Sequence, residues 1–260
     1  MISDGAVGYF DRSAERWDEL YDGPDQLGLW LRHRTAVAIR LLGDGPGAVL
    51  DAGMGAGRLV AELECRGWTA WGVDGSPRMV ELARARVPQA AARLAVARVE
   101  QLPFGDESFD AVVSVGVLQF LADIGAATRE LARVLRPEGR AVLTLGNRSP
   151  NRLWLERVVA PTGRMVRSGL RFDGPRRVSG SPSRAQIKAL VAGAGLELQR
   201  FEYVDLTALP ATLDRLLPGP ALRLSRLAEG LGPLRRLAAM HLFVLAQKAA
   251  GPERRAVSSA

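Results

Sequence analysis

Two aspartates and three alternating glycines carry the chemistry that can be read first from this chain. Asp51 closes a short apolar run, Ala48-Val49-Leu50. Gly53, Gly55 and Gly57 follow at alternate positions, and a helical pattern opens at Arg58. Glycines reach backbone conformations closed to other residues and leave no side chain in a ligand's way. A helix that starts directly after such a loop turns free N–H groups and a positive dipole end toward whatever the loop holds. The spacing is G-x-G-x-G, not the G-x-G-x-x-G of a dinucleotide loop. An acid at the strand end suits a cationic ammonium and repels a pyrophosphate. Asp74 stands roughly 20 residues further on, at the interval where an acid accepts hydrogen bonds from ribose hydroxyls.

These residues need strands and helices to hold them. Apolar runs predict strands at 48–50, 69–73, 94–97, 111–115, 141–145, 196–205 and 242–246. Helices are read to about Arg66, from Pro77 with Ser76 as N-cap, at 125–135 and at 183–194. Strands alternating with helices argue a parallel sheet covered on both faces, with ligands outside the carboxyl ends of its strands. Gly53, Asp74, Val99 and Ser114 all fall at such ends.

Before the first strand, Phe10, Ala14, Trp17 and Tyr21 repeat at helical spacing, which predicts one helix over 5–22. A second helix is predicted over 26–42. Its apolar residues Leu27, Trp30, Leu31, Val37, Ala38 and Leu41 surround Arg34. Arg34 has two readings: a side chain that runs out to solvent along its stem, or a cation turned back onto a ligand carboxylate. His33 reads as a surface residue.

Composition bounds the rest. At 260 residues, one large α/β domain is expected, over 1–250, with a polar tail at 251–260. No apolar run is long enough for a membrane span, no signal peptide is read, and the single Cys65 excludes a disulfide and a cysteine metal cluster. A cytoplasmic protein without a metal fits. The net charge of +7 rests almost wholly on arginine, with Lys188 and Lys248 the only lysines. Genome composition explains such a bias, and so would an anionic substrate, a membrane surface or nucleic acid.

Four segments together resemble class I S-adenosylmethionine-dependent methyltransferases. Within that group they resemble the small-molecule branch with the ubiquinone and menaquinone C-methyltransferases, the type 11 methyltransferase domain. They are VLDAGMGAGRL at 49–59, GVDGSPRMVELAR at 72–84, VEQLPFGDESFDAVVSVGVLQFL at 99–121 and RELARVLRPEGRAVLTLGNR at 129–148. They cover about half the chain. The resemblance implies a doubly wound, mostly parallel sheet of seven strands, the seventh antiparallel. Residues 46–148 would form the cofactor-binding core and 1–45 an N-terminal helical cover.

The resemblance also implies S-adenosyl-L-methionine as the cofactor. Asp51 would bind its ammonium, Gly53, Gly55 and Gly57 its methionine part, with Val115 beside the tail and Arg34 on the carboxylate. Asp74 would hold the ribose. Ser76 and Met79 would flank the adenine, and the backbone at Val99 and Glu100 would meet its ring. Two departures stand out. Arg98 replaces the acid that commonly receives the adenine amino group, and Gln119 stands where a histidine often does.

Transfer from a sulfonium needs a nucleophile held in line and water excluded, with a base only if the acceptor is not acidic enough. Candidate bases are His33, His241, Tyr9 and Tyr21, both histidines reading first as structural. Ser114-Val115-Gly116-Val117 offers no Asn-Pro-Pro-Tyr-like segment, which favours an oxygen or carbon acceptor. Arginine-edged apolar stretches at 149–182 and 206–239 read as a lid for a lipophilic or anionic small molecule, or as a membrane-contacting surface. The alternatives are an RNA methyltransferase, disfavoured by the absence of an appended RNA-binding module, and a non-catalytic module that keeps the fold to bind a partner.

Overall fold

The computed structural model describes residues 4–24, 26–147, 181–206 and 239–250. The expected lid segments lie outside the described residues except at their edges, as does the tail at 251–260.

Seven strands form one sheet: β1 (Gly47–Ala52), β2 (Trp68–Asp74), β3 (Leu94–Val96), β4 (Phe109–Ser114), β5 (Leu135–Gly146), β6 (Leu196–Leu206) and β7 (Ala239–Lys248). Their order is β3-β2-β1-β4-β5-β7-β6, and β7 runs antiparallel to both neighbours. This is the expected doubly wound sheet. The chain leaves β1 toward β2 and β3, then restarts on the other side of β1 at β4, so the topological switch lies between β1 and β4.

Successive side chains of a strand point to opposite faces, and here both faces are covered. Val49, Ala111, Val113, Val142 and Phe243 pack under α3 (Gln26–Leu42), α4 (Arg58–Cys65) and α5 (Pro77–Arg86). Leu50, Val112, Ala141, Leu143 and Val244 pack under α6 (Ile124–Val134) and α7 (Arg184–Gly193). The strands therefore read as continuous apolar runs rather than alternating ones.

Two elements differ from the sequence reading. The predicted helix over 5–22 is two, α1 (Asp4–Arg12) and α2 (Ala14–Asp22). Ser13 breaks it, its hydroxyl donating to the Tyr9 carbonyl at 2.7 Å, a local bond that competes with the helix ladder. The stretch 136–139, between the helix read at 125–135 and the strand read at 141–145, lies inside β5, because Leu135 already pairs with Phe109 before the register shifts and resumes at Arg140 with Ala111. Among the described residues no helix is long and apolar enough to cross a membrane.

Candidate active site

One cavity opens above the carboxyl ends of β1, β2, β3 and β4. Its lining includes Asp51, Gly53 and Gly55 from the first loop, Asp74 and Met79 from the second, Arg98 and Val99 from the third, and Val115 from the fourth. The cover adds Phe10, Trp17, Asp18 and Tyr21, and α3 adds Arg34.

The first loop is built for close approach. Gly53 has a φ of 89°, and a Cβ there would lie 2.1 Å from Val117 Cγ2. Only glycine lets the loop after β4 close over the loop after β1. Gly57 serves elsewhere: with a φ of 76° it caps α4, and a Cβ on it would meet the Cβ of Ala83 on α5 at 2.8 Å. It is not among the cavity-lining residues.

Asp74 braces the glycine loop. One carboxylate oxygen accepts from the Gly55 amide at 2.9 Å, and the other accepts from the Ser76 amide at 2.9 Å. Burial pushes its pKa up against these bonds. Ser76 caps α5, accepting from the Met79 amide at 3.1 Å and donating to Asp11 of the cover at 2.7 Å. It joins cover to core behind the cavity and does not line it.

Asp51 is 2% exposed, and among the described residues no hydrogen-bond donor reaches its carboxyl. Burial first, then the charge of Asp74, pushes its pKa up to about 8. A buried carboxyl without a donor is costly, and a cation placed beside it offsets that cost. The donor set thus fits S-adenosylmethionine: a cation-seeking acid, a glycine loop and a second acid, all on one cavity.

The other expected residues divide. Met79 on α5 and Val99 at the end of the third loop are both buried and both line the cavity. Glu100 does not line the cavity, and its Oε2 is buried without a partner among the described residues. Of the base candidates, only Tyr21 lines the cavity. Burial raises its pKa, which keeps the phenol neutral. His33 is exposed on α3, and Tyr9 stacks edge-on against Phe10 at 5.5 Å. His241 is 3% exposed in β7, 3.0 Å from the Arg34 guanidinium. Arg34 itself is 9% exposed and lines the cavity, so its side chain does not run out to solvent.

Sequence reasoning missed the pairing that seats the cover. Asp18 accepts from Arg58 Nε and from Arg86, both at 2.7 Å, while Asp22 takes the other edge of Arg58. Burial works against Asp18, yet Arg86 and Arg58 hold its pKa below the usual range. The available signal was Asp18 and Asp22 spaced i, i+4 ahead of an arginine at the first position of the next helix but one.

The family profile described as a methyltransferase domain matches residues 50–143. A demethylmenaquinone methyltransferase of Mycobacterium sp. is 37% identical over 171 residues, 61% of this chain and 69% of that protein. An uncharacterized methyltransferase of Mycobacterium tuberculosis is 38% identical over 116 residues. That match covers 45% of this chain and 46% of the relative, so the chain spans about half the length of the first curated relatives it matches. In fold, the chain is similar to the magnesium protoporphyrin IX methyltransferase of Synechocystis PCC 6803 with bound SAH. The TM-score is 0.64 at 19% identity, covering 94% of this chain and 98% of that one. The chain belongs to the S-adenosylmethionine-dependent methyltransferases.

Proposed function

We propose that the chain transfers a methyl group from S-adenosylmethionine to an oxygen or carbon atom of a small organic molecule, by in-line displacement. One observation carries the reading: the buried Asp51 carboxyl, lacking a donor among the described residues, shares a cavity with the glycine loop and Asp74. When bound, the cofactor supplies an electrophilic methyl carbon on a sulfonium.

In this reading Asp51 binds the ammonium, Arg34 the carboxylate and Asp74 the ribose hydroxyls. Met79 and the backbone at Val99 and Glu100 flank the adenine, and Val115 borders the methionine tail. Phe10, with its ring centroid 5.5 Å from that of Trp17 and 5.3 Å from that of Phe120, forms with them an aromatic cover that excludes water from the acceptor side. Gln119, 9% exposed on the lining, is neutral and positions rather than deprotonates an acceptor. The aromatic lining and Arg98 at its edge support a lipophilic or anionic acceptor, and the demethylmenaquinone methyltransferase relative supports a quinone-like one.

The test is formation of S-adenosylhomocysteine and a methylated product, followed by mass spectrometry across phenolic, quinone-like and carboxylate compounds, with RNA as a further arm. Methylation of at least one small acceptor supports the reading. Methylation of RNA alone, or turnover of none with the cofactor bound, overturns it.

A further inference from the structure

We infer that His241 is a positioning residue that sets the Arg34 guanidinium in the cavity, so that the last strand of the sheet controls recognition of a ligand carboxylate. This rests on the proposed role of Arg34 toward the methionine carboxylate.

The two residues lie 207 positions apart in sequence and meet inside the protein. Arg34 descends from α3, whose neighbouring residues Val37 and Ala38 pack with Phe243 of β7 in one apolar cluster. His241 precedes Phe243 by two on β7 and so points to the same face of the sheet. There its Nδ1 lies 3.0 Å from Arg34 Nη2. A guanidinium has donors only, so Nδ1 is the acceptor, and the ring is the neutral tautomer with its proton on Nε2. Both side chains are buried, at 9% and 3% exposure. Arg34 nevertheless lines the cavity, beside Tyr21, Leu31 and Thr35. Among the described residues β7 contributes nothing to that lining.

The chemistry of the pair explains the choice of histidine. A guanidinium is a rigid planar fork, so fixing one of its nitrogens fixes the plane in which the others donate. A carboxylate in the place of His241 would fix it equally well but would neutralise the charge. A neutral imidazole orients the fork without adding a negative charge beside it. An apolar residue there would leave Arg34 with one bond fewer.

The test compares two probes that share adenosine and differ in the amino-acid tail: S-adenosylhomocysteine and 5′-methylthioadenosine. Calorimetric titration is run on the full chain and on three variants. His241→Leu removes the acceptor, His241→Asn keeps one near the Nδ1 position, and Arg34→Met removes the cation. We expect His241→Leu to weaken S-adenosylhomocysteine about tenfold, the effect of one lost charge-assisted bond, and to leave 5′-methylthioadenosine unchanged. His241→Asn should restore most of the loss, and Arg34→Met should exceed it. If His241→Leu weakens both probes alike and Asn does not rescue, the histidine is merely structural and the inference fails. If Arg34→Met alone selectively loses S-adenosylhomocysteine, the role of Arg34 stands and that of His241 falls. If Arg34→Met spares both probes, the carboxylate reading itself is wrong.

Discussion

Asp74 adds to the burial that keeps Asp51 protonated: its negative charge, at the end of the neighbouring strand, helps raise the Asp51 pKa to about 8. The two acids hold one cavity between them, and the free protein stores there a proton that a cationic ligand must displace.

Binding is therefore linked to pH. Below about pH 8 the free Asp51 is neutral, and pairing with an ammonium releases its proton. Affinity for S-adenosylhomocysteine should rise with pH by up to about tenfold per unit and flatten above 8. Calorimetry in buffers of differing ionisation enthalpy should report the released proton. Asp51→Asn should abolish the slope; a slope that survives it assigns the proton elsewhere.

The same shift predicts a stability effect of definite sign. The folded protein holds the Asp51 proton between about pH 4 and 8, where the unfolded chain has lost it. This contribution is present at low pH and disappears as pH rises through 8. Asp51→Asn, which cannot ionise, should melt higher than the wild type at pH 8.5, with the gap closing toward pH 5. A thermal scan at the two pH values checks it.

Asp74→Ala removes an acceptor from the Gly55 and Ser76 amides as well as from a ribose. It should weaken S-adenosylhomocysteine and 5′-methylthioadenosine alike, by about 1–3 kcal/mol, because both carry the ribose. Unchanged affinity for both would place the ribose elsewhere.

Asp18→Ala removes the carboxylate that joins the cover to Arg58 and Arg86, leaving Asp22 on Arg58. The cost should be about 1–2 kcal/mol of stability in denaturant titration. Emission from Trp17, which lines the cavity, should shift as the cover loosens.

Gly57→Ala tests the packing of α4 on α5. The left-handed φ and the 2.8 Å approach to Ala83 both oppose a methyl group. A loss of more than about 1 kcal/mol is expected, with ligand affinity changed less than stability.

The fold was largely legible in the sequence because parallel strands covered on both faces are continuous apolar runs bounded by turn residues. The Asp51, glycine and Asp74 constellation was legible for the same reason: it is local and lies at strand ends. Gly57 shows the limit, since a glycine that admits a ligand and one that admits a neighbouring helix have the same letter. The break at Ser13 turned on one side-chain hydrogen bond that periodicity does not register. The Arg34–His241 pair was out of reach because neither residue is near the other until the last strand enters the sheet beside β5.

Titration of the full chain with S-adenosylhomocysteine, against NAD as control, bears most directly on the central claim. Micromolar binding of the first, lost in Asp51→Asn, and none of the second is expected. Binding of NAD, or S-adenosylhomocysteine binding that Asp51→Asn leaves intact, would contradict it.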